Sequence, residues 1–183
     1  NDRICYLRVA ARPCDLFIIN VYAPTEDNDD DIKDVFYEKL EKVYDDLPNN
    51  SIKIILGDLN AQVGKEAMYR PTIGPNSLHD ICNDNGTRLV NFAISKNISI
   101  SSTYFPHKNI HKQTWKSPDG VTLNQIDHVL INSRFKSSIF DVRSYRGADA
   151  NSDHFLVMAK FANRISTKWN PQDPAKKITS RYN

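Results

Sequence analysis

A chain of 183 residues, with 40% hydrophobic and 25% charged side chains, has the length of one domain and the composition of a globular one. No apolar run approaches the roughly 20 residues of a membrane-spanning helix, and residues 1–9 lack the basic, apolar, then small-residue order of a secretion signal. The net charge of +2 hides a gradient: residues 1–85 hold 9 basic and 16 acidic side chains and residues 86–183 hold 15 and 6, and a basic half attracts polyanions.

The predicted elements run as follows. Leu16 to Val21 is a buried strand that ends in Tyr22-Ala23-Pro24. Asp29 to Leu47 is the clearest helix, with Ile32, Val35, Phe36, Leu40, Val43 and Leu47 spaced by three and four to form its inner face. Acidic residues crowd its first turn, where the helix dipole favours them, and Pro48 follows its end. Ile52 to Leu56 is a second buried strand, broken by Gly57 into Asp58-Leu59-Asn60. Gly86 to Lys96 suits a helix that buries Leu89, Phe92 and Ala93, and Ile98 to Ser101 suits a strand. Gln113 to Lys116 and Asn124 to Ile131 read as strands on either side of a Pro118-Asp119-Gly120 turn. Ile139 to Tyr145 and Phe155 to Phe161 supply two more. Periodicity stops after Arg164, so residues 1–164 read as the domain and 165–183 as a basic linker or tail. Two helices set among more numerous strands fit an α/β domain. Cys5, Cys14 and Cys82, an odd number without close spacing, read as reduced thiols of an intracellular protein.

Polar residues recur at the ends of the apolar strands. Asn20 and Tyr22 close the first; Asp58 and Asn60 follow the second; Asp127 and His128 interrupt another; Asp153 and His154 precede the last. A buried carboxylate costs several kcal/mol unless it is paired or bound to metal. Several of them at strand ends therefore point to one shared site at an edge of the sheets. Phosphodiester hydrolysis needs these residue types: carboxylates for a hard cation and for the water's proton, and an amide, a phenol or an imidazole for the phosphate oxygens. Competing chemistries lack their marks, since there is no Gly-rich phosphate loop, no Gly-x-Ser-x-Gly and no Cys-x-x-Cys. His107 and His111 are four apart without the glutamate of a zinc protease, and Pro106 places them in a loop.

Asn20-Val21-Tyr22-Ala23-Pro24-Thr25, Gly57-Asp58-Leu59-Asn60, Gln125-Ile126-Asp127-His128 and Ser152-Asp153-His154 resemble, in order, the later motifs of the endonuclease/exonuclease/phosphatase superfamily. Asn85-Gly86-Thr87-Arg88-Leu89, Ser101-Ser102-Thr103-Tyr104-Phe105, Thr114-Trp115 and Ser117-Pro118-Asp119-Gly120 resemble one subgroup, the endonuclease domains of non-LTR retrotransposons and host copies of the craniofacial development protein 2-like kind. The resemblance implies a four-layer α/β sandwich, two facing mixed sheets flanked by helices. It implies that Asp58 orients or deprotonates the attacking water, that Asn60 steadies the phosphate and that Tyr22 offers it a phenol. By the same resemblance Asp127 orients the imidazole of His154, and Asp58, Asn60 and Asp153 hold Mg²⁺, with Mn²⁺ as the alternative cation. Asn20, Thr25, Thr114, Lys112 and Arg146 become the substrate-binding set. Lys108, Lys116 and Arg143 join Lys112 and Arg146 on the rim, where they would meet DNA.

Only 21 residues precede Tyr22. The N-terminal part of the fold is therefore expected to be missing, and with it a metal-binding glutamate, so the chain alone is expected to be inactive or nearly so. The implied function is a Mg²⁺-dependent DNA endonuclease of a retroelement or a domesticated copy. It would leave a 3′-hydroxyl, work beside a downstream reverse transcriptase domain in the full product, and act in the nucleus. Two alternatives stand beside it: an abasic-site repair nuclease or other phosphodiesterase of the same fold, and a catalytically dead module that binds nucleic acid or protein.

Overall fold

The computed structural model describes residues 2–147 and 152–162; the basic segment 165–183 lies outside them. Among the described residues nine strands and two α-helices follow in the order β1 (Ile4–Val9), β2 (Leu16–Tyr22), α1 (Asp30–Asp46), β3 (Ile52–Asp58), α2 (Asp84–Ser95), β4 (Ile98–Ile100), β5 (Trp115–Lys116), β6 (Leu123–Asn124), β7 (Asp127–Asn132), β8 (Ile139–Tyr145) and β9 (Leu156–Phe161). The main sheet is ordered β1-β2-β3-β7-β4 and is mixed: β2 and β3 are parallel, the other pairs antiparallel. β5 pairs with β6, and β8 with β9, in two small antiparallel sheets.

The apolar residues divide by strand parity into two cores. Phe17, Ile19 and Val21 of β2, Ile55 of β3 and Leu130 of β7 face α1 and α2, where Phe36, Leu40, Leu89 and Phe92 meet them. Ile52 and Ile54 of β3 and Val129 and Ile131 of β7 face the other way, onto Ile139 and Val142 of β8. β3 is covered on both sides, which is why Ile54, Ile55 and Leu56 run together without alternation. Three layers of the expected sandwich are thus in place: helices, main sheet and the β8–β9 pair. Among the described residues no helix covers the outer face of that pair.

Three sequence expectations change. The inner stripe of α1 is rotated: Lys33, Phe36, Leu40 and Tyr44 are buried, whereas Ile32 and Val35 are exposed. Lys33 is drawn in by an ion pair with Asp84 at 3.0 Å, and Tyr44 packs edge-on against Phe92. The long strand Asn124 to Ile131 is two, because the buried Gln125 bends the chain; its amide oxygen accepts from Leu78 N–H at 2.9 Å and its amide nitrogen donates to the Ser102 carbonyl at 3.3 Å. β1 is an additional strand, an edge with only Ile4 buried. Cys5 lies exposed on it.

α1 has no basic residue in its last turn, yet two carbonyls at its end find a cationic donor. The buried Lys53 of β3 donates to Tyr44 O at 2.8 Å and Leu47 O at 3.0 Å, a tertiary substitute for a helix C-cap.

Candidate active site

Parity also builds the site. Continuing the β8-facing side of the sheet to its edge, Ile52, Ile54 and Leu56 lead to Asp58, and Ile131 and Val129 lead to Asp127. Asp58 is the register partner of Asp127 on one side and of Tyr22 on the other, so three polar residues end adjacent strands side by side. Gly57 makes the approach possible: with φ at +136°, a Cβ there would lie 2.0 Å from the Val21 carbonyl oxygen. The loop that precedes β9 brings His154 over this edge, its backbone bridged to Trp115.

His154 Nδ1 lies 3.1 Å from Asp127 Oδ2 and its Nε2 3.9 Å from Asp58 Oδ2. A carboxylate oxygen only accepts, so Nδ1 carries the proton and donates it, leaving Nε2 directed to the cleft. The Asp127 hydrogen bond raises the His154 pKa above 6.5, partly opposed by burial. Burial is also what pushes Asp58 up to about 6; the Asn60 amide opposes it and the nearby Asp127 carboxylate adds to it. Since 3.9 Å is less than two hydrogen-bond lengths, one oxygen atom of water or phosphate can reach Asp58 and His154 together.

The structure brings Asp58, Asn60, Asp127 and His154 together, and places the remaining sequence-predicted residues differently. Asn60 is in the left-handed region, φ 47°, which asparagine tolerates. Its backbone N–H donates to Asp58 Oδ1 at 2.9 Å, and its side-chain amide donates to the Ala23 carbonyl at 3.0 Å and Asp58 Oδ2 at 3.3 Å. With both amide hydrogens engaged, Asn60 holds Asp58 rather than offering a donor to phosphate. Asp153 accepts from the Trp115 indole N–H at 2.9 Å, which lowers its pKa, and its charge is felt at both Asp58 and His154. Tyr22 is half exposed beside Asp58, with the Arg3 guanidinium 5.0 Å above its ring. Asn20 lies on the same face, one alternation further from the edge and exposed.

Thr114 is corrected: it is buried, and its hydroxyl oxygen accepts from the Ile126 and Asp127 backbone N–H groups at 3.0 and 3.1 Å. It fixes the start of β7 and is not a substrate-facing hydroxyl. Thr25 stays exposed but is engaged locally, its N–H and hydroxyl both donating to Asn28 Oδ1 at 2.8 and 3.0 Å. Lys112 and Arg143 share a narrow crevice with Thr114 and Asp127, and crowding by burial, then by Lys65, lowers the Lys112 pKa. Arg146 is exposed, bonded to Gln113 and stacked 5.2 Å from the Phe155 ring. Lys108 and Lys116 are exposed nearby in sequence.

Two residues that carry the site were not singled out as site residues. Buried Asn85 donates to the Pro24 carbonyl at 3.1 Å and the Asn60 carbonyl at 3.0 Å, tying the loop after β2 to the loop after β3. Glu26 accepts from the backbone N–H groups of Asp84 and Asn85 at 3.0 and 3.1 Å, which anchors the same loop to the start of α2. The Asn85-Gly86 pair was the only available signal, and Gly86 is required because a Cβ would meet the Gln62 carbonyl at 2.0 Å.

The fold is that of the endonuclease/exonuclease/phosphatase superfamily. The chain superposes on the endonuclease domain of TRAS1, a telomere-specific non-LTR retrotransposon, with a TM-score of 0.62, 14% identity and coverage of 88% of this chain and 62% of that one. The 3′ phosphatase NExo from Neisseria, bound to a product DNA hairpin, gives a TM-score of 0.63 at 19% identity over 87% of this chain and 65% of that one. An AP endonuclease from Archaeoglobus fulgidus gives 0.59 at 18% identity over 87% and 65%. In sequence, the chain is related to craniofacial development protein 2: it is 35% identical over 172 residues to the proteins of Tragulus javanicus and Bos taurus. That match takes in 94% of this chain and 29% and 28% of those two proteins, so the chain spans under a third of their length. No protein-family model matches the chain. Among the described residues no helix is long and apolar enough to cross a membrane.

Proposed function

We propose that this domain is a divalent-cation-dependent phosphodiesterase that nicks DNA and leaves a 3′-hydroxyl, as a retroelement endonuclease or a host-retained copy. The observation that carries the reading is the Asp58–His154–Asp127 arrangement: a carboxylate raised to about 6 by burial faces an imidazole that a second carboxylate orients. A general base works best with a pKa near the operating pH. Asp58 accepts the proton of the attacking water. His154, held protonated by Asp127, donates from Nε2 to a nonbridging phosphate oxygen as charge develops there. The P–O3′ bond breaks, and the O3′ oxygen takes up a proton from solvent.

Mg²⁺, or Mn²⁺ in its place, fits the donor chemistry at this edge. Among the described residues no three His, Cys, Asp or Glu side chains form a ready-made cage. Mg²⁺ is commonly held by only one or two carboxylates, with waters and the substrate's phosphate completing its shell. Asp58 and Asp153 supply those carboxylates, and the Asn60 side-chain oxygen Oδ1 meets no donor among the described contacts. When bound, the cation supplies charge neutralisation at the phosphate. DNA as substrate would bring Lys112, Arg143 and Arg146 to the phosphate backbone, place the protein in the nucleus, and suit a reverse transcriptase acting next on the 3′-hydroxyl.

The test is plasmid nicking by the intact gene product, with and without EDTA, on plain and abasic DNA. Metal-dependent nicks in plain DNA that a polymerase extends directly support the reading. Cutting confined to abasic DNA identifies a repair nuclease, and DNA binding without nicking identifies a dead module; both overturn it.

A further inference from the structure

A second concavity lies away from the catalytic edge, beside β4 at the margin of the main sheet. It sits between the 3-10 turn Ser101–Thr103, with the following Tyr104 and Phe105, and the 3-10 segment Ser133–Ser138 that leads into β8. Its volume is about 470 Å³, in the range of small-ligand pockets, and its lining is mainly apolar. Ile139 and Phe105 link that lining to the second core.

Two independent observations point to an occupant. Ser101 lines this cavity at 2% exposure, and its hydroxyl has no hydrogen-bond partner. Its neighbours are satisfied: Ser102 meets His128 Nδ1 at 2.7 Å, and the Thr103 hydroxyl donates to the Ile100 carbonyl at 2.7 Å. An orphaned buried hydroxyl is destabilising unless something answers it. The second observation is charge. Arg134 and Lys136 both line the cavity, and among the described residues neither is in an ion pair. They rest on aromatic faces instead, Lys136 Nζ 3.5 Å from the centre of the Tyr104 ring and Arg134 5.4 Å from that of Phe135. Arg88 and Lys96, by contrast, are each held by two or more carboxylates.

We propose that this cavity binds a small amphipathic carboxylate: an apolar, ring-sized body against Phe105 and Ile139, an anionic group at the rim on Arg134 and Lys136, and a polar atom at the inner end that pairs with the Ser101 hydroxyl. Each part answers one feature of the lining, and none uses the nuclease cleft.

The probe is 6-hydroxy-2-naphthoate, titrated into the full chain and followed by backbone amide NMR, with two analogues: 2-naphthoate, which lacks the hydroxyl, and the neutral 6-hydroxy-2-naphthalenemethanol. Saturable shifts centred on Tyr104, Lys136 and Ile139 are expected. The neutral analogue should bind about tenfold or more weakly, because hydrogen bonds to charged groups are the strong ones. Arg134→Gln with Lys136→Gln should weaken the acid to a similar degree, and Ser101→Ala should erase its advantage over 2-naphthoate. The ligand comparison on the unaltered chain stands even if a variant folds poorly. Equal binding of acid and alcohol, shifts centred on Asp58 and Asp127, or no saturable binding at millimolar concentrations overturns the proposal.

Discussion

Asp127 and His128 are neighbours on β7 and project to opposite faces of the same sheet, and the two faces make two different imidazoles. On the helix side, His128 is 1% exposed, its Nε2–H donating to the Ala61 carbonyl at 2.8 Å while Nδ1 accepts from the Ser102 hydroxyl at 2.7 Å. Burial pulls its pKa down to about 4, so the ring stays neutral near pH 7. On the other side, Asp127 reaches across to His154 and raises its pKa. One face stores a fixed polar joint in the core, and the other keeps a proton available at a solvent-accessible edge. Histidine type alone does not distinguish them; the partner on Nδ1 does, a hydroxyl in one case and a carboxylate in the other.

The largest expected effect breaks the site side of this contrast. In the intact gene product, Asp58→Ala or His154→Ala should lower the nicking rate on the order of 10²–10⁴-fold, the usual contribution of a positioned acid or base, while leaving the urea midpoint close to that of the parent. A variant that nicks at the parental rate removes the residue from the chemistry.

His128→Ala should do the reverse. It removes two buried hydrogen bonds, strands the Ser102 hydroxyl and the Ala61 carbonyl, and leaves a cavity, for a loss of about 2–5 kcal/mol in urea unfolding. A stability near the parent's would mean that His128 is not the joint described. Acid should act in the same direction. The unfolded histidine takes a proton below about 6.5, whereas folded His128 takes one only near 4, so its contribution to stability falls as pH drops through that window. His154 has the opposite sign: its contribution is full below 6.5 and is lost as pH rises through its raised folded pKa.

The smallest effect concerns the rim. If Lys112, Arg143 and Arg146 meet phosphates, DNA affinity should weaken by about 0.9 log unit per log unit of salt for each contact, and each change to Gln should flatten the slope by about that amount. An unchanged slope in the Arg146→Gln variant would place that side chain off the DNA path.

Much of the frame was legible because long apolar runs and helical spacing are local signals. β2, β3, α1, α2, β8 and β9 fall where the pattern places them, within a residue or two. β1 was illegible because five of its six residues are not buried, so it carries no alternation. The orientation of α1 misled because the stripe of Ile32 and Val35 is purely local, whereas Lys33 and Tyr44 are buried by Asp84 and Phe92, some 50 positions away in the chain. Polar residues at strand ends marked the edge where Asp58 and Asp127 meet. Their pairing with His154 followed from the resemblance to a known family and not from spacing. Thr114 shows the limit most sharply: nothing local distinguishes a hydroxyl that meets substrate from one that accepts two amide hydrogens at the start of β7.

The central claim is that the sheet separates a titrating imidazole at the site from a silent one in the core. The direct measurement is an NMR titration of the ring Cε1–H signals of His154 and His128 in the same sample, with Asp127→Asn as the companion. His154 should titrate above 6.5 and move back toward that value in the variant, while His128 should hold its neutral shift until near pH 4 or until the protein unfolds in acid. A His154 that titrates below 6.5, or a His128 that titrates alongside it, would contradict the account.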